Sequence, residues 1–102
     1  AQDKKGNWVE CNCDENEIIC NIGDMLELIS NDKLNSTPHR VVSKGNESRS
    51  RYSIPFFLHP RLEMPLNCID SCVDENNPKG FEDITAGDFL YQRLVDLGLV
   101  KD

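Results

Sequence analysis

Ser36-Thr37-Pro38-His39-Arg40-Val41-Val42 is followed, after a Gly-, Asn- and Ser-rich loop at 43–50, by Arg51-Tyr52-Ser53-Ile54-Pro55-Phe56-Phe57-Leu58. The fold turns on how these two segments are read. Both have the composition of strands, and the loop between them predicts a β-hairpin. Alternation along the second segment puts Arg51 and Ser53 on one face and Tyr52 on the other. Pro38 and Pro55 cannot donate ladder hydrogen bonds, so each marks an edge, a bulge or a strand start. The chain has two histidines, His39 and His59. In a paired hairpin the His39 imidazole, the Arg51 guanidinium and the Ser53 hydroxyl can face one cavity, fit to hold a metal and a carboxylate ligand.

Before this stretch, Gly6-Asn7 signals a turn and Trp8 to Cys11 a short strand, so a hairpin is expected to open the chain. Residues 13–17 (CDENE) form an acidic connection without the wider spacing of a calcium loop, which makes them a solvated turn. Residues 17–22 are rich in β-branched side chains and read as a strand. Asp24 and Glu27 stand in capping-box relation ahead of a short helical turn that Asn31-Asp32-Lys33 breaks. After the stretch, His59-Pro60 closes the second strand and His59 reads as a loop histidine. Residues 61–69 are irregular. Residues 70–80 are a polar connection with a turn at Asn77-Pro78. Thr85 then caps a helix with Asp88 at N3. Phe89, Leu90, Leu94 and Leu97 form its apolar stripe, expected to pack on a sheet, and Gly98 is the expected C′ residue.

A chain of 102 residues makes at most one small domain, and its 38% hydrophobic content suits a piece of a larger domain as well as a complete one. Eleven basic against 18 acidic residues give a net charge of −7, which excludes the basic face a nucleic acid needs. Lys44 and Arg49 read as solvated loop charges. No apolar run approaches a membrane span, so no membrane partner is expected. Five cysteines, at 11, 13, 20, 68 and 72, are an odd number for a paired framework. Cys11-x-Cys13 is too tight for a zinc knuckle. Free thiols in a reducing, cytoplasmic setting are the expectation.

Three blocks in order carry a resemblance: Asn21-Ile22-Gly23-Asp24-Met25-Leu26-Glu27, then Ser36 to Val42, then Arg51 to Phe57. They resemble the C-terminal half of the Fe(II)/2-oxoglutarate-dependent dioxygenases, in the isopenicillin N synthase-like branch. The tail from Asn77-Pro78-Lys79 through Ile84 to Leu90 is similar to the end of that branch. The resemblance implies a mainly β fold: the C-terminal part of a double-stranded β-helix (jelly roll, cupin-like) with a C-terminal helix. Residues 1–60 would be the C-terminal half of the oxygenase core, and 61–102 an extension with the terminal helix.

The resemblance also implies an activity, in which 2-oxoglutarate decarboxylation is coupled to oxidation of a small organic molecule by O2. Some branch members dispense with 2-oxoglutarate. His39 matches the distal histidine of the two-His, one-carboxylate iron triad. Arg51 and Ser53 match the Arg-x-Ser pair that holds the distal carboxylate of 2-oxoglutarate, where a guanidinium offers two parallel donors and the hydroxyl a third. Val41 and Phe57 correspond to pocket-lining positions, with ordinary core packing the competing reading. Arg40 should face away from His39, in a structural salt bridge. The family's His-x-Asp pair is absent from these residues. They are therefore expected to be the part of a longer chain that follows that pair, inactive alone. Two other readings compete: a non-catalytic β-sandwich that binds carboxylates through Arg51 and Ser53 without iron, and a small cysteine-rich metal or disulfide domain.

Overall fold

The computed structural model describes residues 1–43, 45 and 50–101. The chain divides into two compact units. One comprises Ala1–Cys20 with Thr37–Leu58, the other Asn21–Ser36 with His59–Asp102.

The first unit corrects the mainly β expectation. Among the described residues there is no sheet. Two isolated bridges, Gln2↔Trp8 and Pro65↔Thr85, are the only β-pairing among these residues, whose regular structure is otherwise helical. The double-stranded β-helix portion expected from the resemblance is thus not formed as a β-structure here. The reason is that β-branched composition makes backbone extended, whereas a strand exists only when a neighbour takes its N–H and C=O groups. Residues 17–22, 36–42 and 51–58 lack helix and ladder alike. The expected pairing of 36–42 with 51–58 is absent, and the second segment is left open. Tyr52, Ile54, Phe56, Phe57 and Leu58 are all at least 80% exposed. Such a run of large apolar side chains is uncommon on a lone soluble surface. Lys44 and Arg49, read as solvated loop charges, lie outside the described residues.

The opening hairpin survives as a single bridge around a tight turn. The Asp3 carboxylate accepts from the Lys5 N–H at 2.8 Å, the Asn7 N–H at 2.9 Å and the Asn7 side-chain amide at 3.1 Å. These bonds hold the Asp3 carboxyl below its ordinary value, the Asn7 side chain being the largest cause. Gly6 supplies the left-handed backbone of the turn, at φ 83°. The Gln2 N–H donates to the Pro38 carbonyl at 2.9 Å, tying the turn to the segment that carries His39.

The second unit holds the core. Helix α1, Asp24–Ile29, begins at an extended Gly23 with no side-chain cap. The expected Asp24/Glu27 capping box is therefore corrected: both acids sit inside the first turn, near the positive end of the helix. Leu28, Leu66 and Ala86 are buried together, with Met25, Ile29, Phe81, Ile84 and Phe89 packed around them. The Pro65↔Thr85 bridge joins this core, its Leu66 N–H donating to Ile84 O at 2.7 Å and its Ala86 N–H to Met64 O at 2.9 Å. Gly87 permits that approach, since a Cβ there would meet the Leu62 carbonyl oxygen at 3.1 Å.

Helix α2, Ala86–Asp96, follows its local chemistry closely. Thr85 Oγ1 accepts from the Asp88 N–H at 3.1 Å and donates to the Asp88 carboxylate at 2.7 Å. At the other end Gly98, at φ 71°, donates to Val95 O at 2.8 Å, and the Leu99 N–H donates to Leu94 O at 2.9 Å. That pair of bonds is a Schellman motif. The apolar stripe does not meet a sheet. Phe89 packs on the Leu28–Leu66–Ala86 cluster, and Leu97 is 72% exposed.

Asn31 is the polar centre of this unit. It is 2% exposed and left-handed, at φ 50°. Its side-chain amide donates to the carbonyls of Cys72, Asn77 and Pro78 at 3.3, 3.1 and 3.1 Å. Its Oδ1 accepts from the Gly80 N–H at 2.9 Å and the Cys68 thiol at 3.7 Å. One side chain thus anchors the polar connection at 68–80, including the 3-10 turn Asp70–Cys72, beneath the end of α1.

Candidate metal and carboxylate site

His39 lies in the first unit, directly after Pro38 in a segment outside helix and ladder, and is exposed. Its Nδ1 sits 2.9 Å from the carbonyl oxygen of Thr37. A carbonyl can only accept, so Nδ1 carries the proton in this bond, and in the neutral ring the lone pair belongs to Nε2. A backbone carbonyl behind one ring nitrogen is the usual way of orienting the other toward a metal. Two contacts steady the segment: the Gln2 N–H on Pro38 O, and the Arg40 guanidinium 4.0 Å above the centre of the Trp8 ring. Arg40 was expected in a salt bridge; its partner is an aromatic face instead.

Arg51 and Ser53 belong to the same unit and are exposed, as are Val41 at 69% and Phe57 at 80%. Among the described residues no hydrogen bond or ion pair joins His39 to Arg51 or Ser53. Two shallow depressions occur elsewhere, one lined by Arg61, Glu63, Met64 and Pro65, the other beside Leu28, Phe81 and Phe89. Neither includes His39, Arg51 or Ser53. His59, in the second unit, turns its Nδ1 onto the Pro60 carbonyl at 3.1 Å, as a loop histidine does. The cysteines are free thiols, exposed at 11, 13 and 20 and half-buried at 68 and 72. Among the described residues no helix is long and apolar enough to cross a membrane.

The donor set can be tested against an iron ion. Among the described residues no three His, Cys, Asp or Glu side chains gather to hold a metal. These residues do not make an iron site by themselves. What they offer is one imidazole with its outer nitrogen free, a donor Fe(II) accepts. His39 fits as one member of a ligand set, and Arg51 with Ser53 has the chemistry to hold a carboxylate.

Sequence reasoning found His39 but missed its bond to Thr37 O, which depends on a side-chain rotamer. It also missed the Trp8–Arg40 stack, which brings together residues 32 positions apart.

Comparison with known proteins adds independent observations. The profile of the 2OG-Fe(II) oxygenase superfamily matches residues 1–60, which include His39, Arg51 and Ser53. A kihadalactone A synthase from Citrus sinensis is 38% identical over 86 residues, covering 82% of this chain and 25% of that protein. A flavonol synthase/flavanone 3-hydroxylase from Solanum tuberosum is 36% identical over 91 residues, covering 89% and 26%. The crystal structure of a 2OG-Fe(II) oxygenase family protein from Caulobacter crescentus matches with a TM-score of 0.86 and 42% identity, over 94% of this chain and 32% of that one. The chain spans about a quarter of the length of the curated relatives it matches. On the profile match to more than half of its residues, the chain belongs to the 2OG-Fe(II) oxygenase superfamily, whose members use Fe(II) and 2-oxoglutarate.

Proposed function

We propose that this chain is the part of an Fe(II)- and 2-oxoglutarate-dependent oxygenase that supplies one iron ligand and the clamp for the co-substrate. The complete enzyme couples decarboxylation of 2-oxoglutarate to oxidation of a small organic molecule by O2. The observation that carries the reading is the superfamily match over residues 1–60, within which His39 has its Nδ1 occupied and its Nε2 available. His39 is the metal ligand. Arg51 offers its planar fork to the distal carboxylate of 2-oxoglutarate, and the Ser53 hydroxyl donates a further bond to the same group. Iron, when bound, supplies the oxidising chemistry; the protein's residues hold it, orient the co-substrate and exclude water. Val41 and Phe57 would serve that exclusion as apolar walls. We assign the site to residues 1–60 and packing support to 61–102. Five free thiols suit a reducing cytosol.

The test is succinate release from the full-length protein with Fe(II), 2-oxoglutarate and O2. His39→Ala should abolish it. If 2-oxoglutarate still binds full-length protein that takes up no iron, the carboxylate-binding module without iron is the better reading. Wild-type turnover in His39→Ala rejects His39 as a ligand.

A further inference from the structure

The Trp8–Arg40 pair goes beyond what the family assignment calls for. We propose that the Arg40 guanidinium on the Trp8 indole face is a positioning device for the His39 imidazole. This rests on the reading of His39 as a metal ligand.

The geometry is local and lies wholly in the first unit. His39 and Arg40 are consecutive, so one short stretch of backbone carries both side chains. Fixing one therefore fixes the rotation of the backbone that aims the other. Arg40 stacks at 4.0 Å on the ring of Trp8, a residue that is itself 45% exposed. Trp8 is held by its bridge to Gln2, and Gln2 donates to Pro38 O one residue before His39. The loop of contacts is closed: Pro38 to Gln2, Gln2 to Trp8, Trp8 to Arg40. The Thr37 carbonyl that takes the Nδ1 proton belongs to the residue just before Pro38. No sheet ladder holds residues 37–42, so these contacts do the holding that strand neighbours would otherwise do. Arg40 and Trp8 touch no metal and no substrate in this scheme. They act through His39, by keeping its Nε2 lone pair outward and its ring in one tautomer. An arginine suits the task because its planar cation stacks on an aromatic face and remains charged at every physiological pH.

The experiment uses the full-length protein with uniform 15N and 13C labels and reads the His39 ring nitrogens by NMR, first without metal and then with added Co(II). In the wild type the metal-free ring should be in the Nδ1–H tautomer, and Co(II) should perturb His39 first. Arg40→Gln and Trp8→Leu should both give a mixture of tautomers and weaken Co(II) binding by roughly tenfold, the low end for loss of an outer-shell partner. Arg40→Lys and Trp8→Phe, which keep a cation and a ring, should recover much of the wild-type behaviour. A retained Lys5 amide shift, from the Asp3-held turn of the same unit, together with unchanged shifts at Asn31 and Gly80, establishes that each variant is folded. A wild-type tautomer and wild-type Co(II) affinity in Arg40→Gln and Trp8→Leu overturn the positioning role. His39→Ala separates the two ideas: if Co(II) binds that variant normally, the ligand reading fails, while the metal-free tautomer result still decides the role of the stack.

Discussion

Replacing Asn31 should loosen the second unit more than any surface change, and the amount can be worked from its contacts. Truncation to Ala removes five side-chain hydrogen bonds, but their consequences differ. The Cys72 carbonyl keeps the Asn77 amide at 2.9 Å, and the Asn77 carbonyl keeps the Asp74 N–H at 3.1 Å. The Pro78 carbonyl and the Gly80 N–H have no second partner among the described residues. An unsatisfied buried group costs about 1–3 kcal/mol. Pro78 and Gly80 are exposed residues whose bonds to Asn31 are part-buried, so the low end of that range is an upper bound and the two together cost at most about 2 kcal/mol. Backbone adds to this. At φ 50° alanine has its Cβ against the following carbonyl, for about 1 kcal/mol more. Asn31→Ala should therefore lose about 1–3 kcal/mol, a sizeable share of the stability of a small domain. Asn31→Gly loses the same bonds without the steric term, and should be milder than alanine despite glycine's greater chain entropy. Urea unfolding followed by far-UV ellipticity of α1 and α2 measures both variants, and exchange of the Gly80 amide reports the lost bond directly. A loss under about 1 kcal/mol in Asn31→Ala would refute the hub. Equal losses in the two variants would refute the backbone part.

Thr85→Ala leaves the Asp88 N–H of α2 without its acceptor and should cost about 1 kcal/mol in the same unfolding assay, with Thr85→Ser close to wild type. Asp3 gives a pH signature. Its folded pKa lies below the ordinary 3.8, so the order it lends the opening turn is present above that value and fades as pH falls through the folded pKa. In a pH titration by NMR, Asn7→Ala should move the Asp3 midpoint upward, toward 3.8; an unmoved midpoint would show that the Asn7 side chain is not the cause. In the full-length protein Arg51→Ala should weaken 2-oxoglutarate binding by roughly 2–5 kcal/mol, the loss typical of a buried charge partner, as calorimetry would show. An unchanged co-substrate affinity would remove Arg51 from the clamp.

How much could be read in advance followed the range of the forces involved. Helix α2 was legible end to end. Thr85, Asp88 and Gly98 act within one turn of themselves, so their identities suffice. At α1 the pattern of Asp24 and Glu27 was present, yet Gly23 took the cap. A capping box needs the first acid outside the helix, and composition does not say on which side of the boundary a residue falls. The sheet was the main failure. Residues 17–22 and 51–58 have the composition of strands but form none, because a ladder depends on what lies alongside, and period-two composition carries no information about that. Asn31 was read only as a helix breaker. An Asn just past a helix does tolerate the left-handed conformation, but nothing local shows that its amide will meet residues 72–80. The site divides in the same way. His39, Arg51 and Ser53 were named from their motif. The Thr37 carbonyl behind the ring and the indole beneath Arg40 required coordinates.

The most direct measurement is a crystal structure of the full-length protein grown without oxygen, with Mn(II) standing in for iron and 2-oxoglutarate bound. His39 Nε2 should stand in the inner sphere of the metal, with Nδ1 still on the Thr37 carbonyl and the distal carboxylate of 2-oxoglutarate between Arg51 and Ser53. A metal held by other groups with His39 turned away, or a co-substrate whose distal carboxylate avoids Arg51, would contradict that assignment.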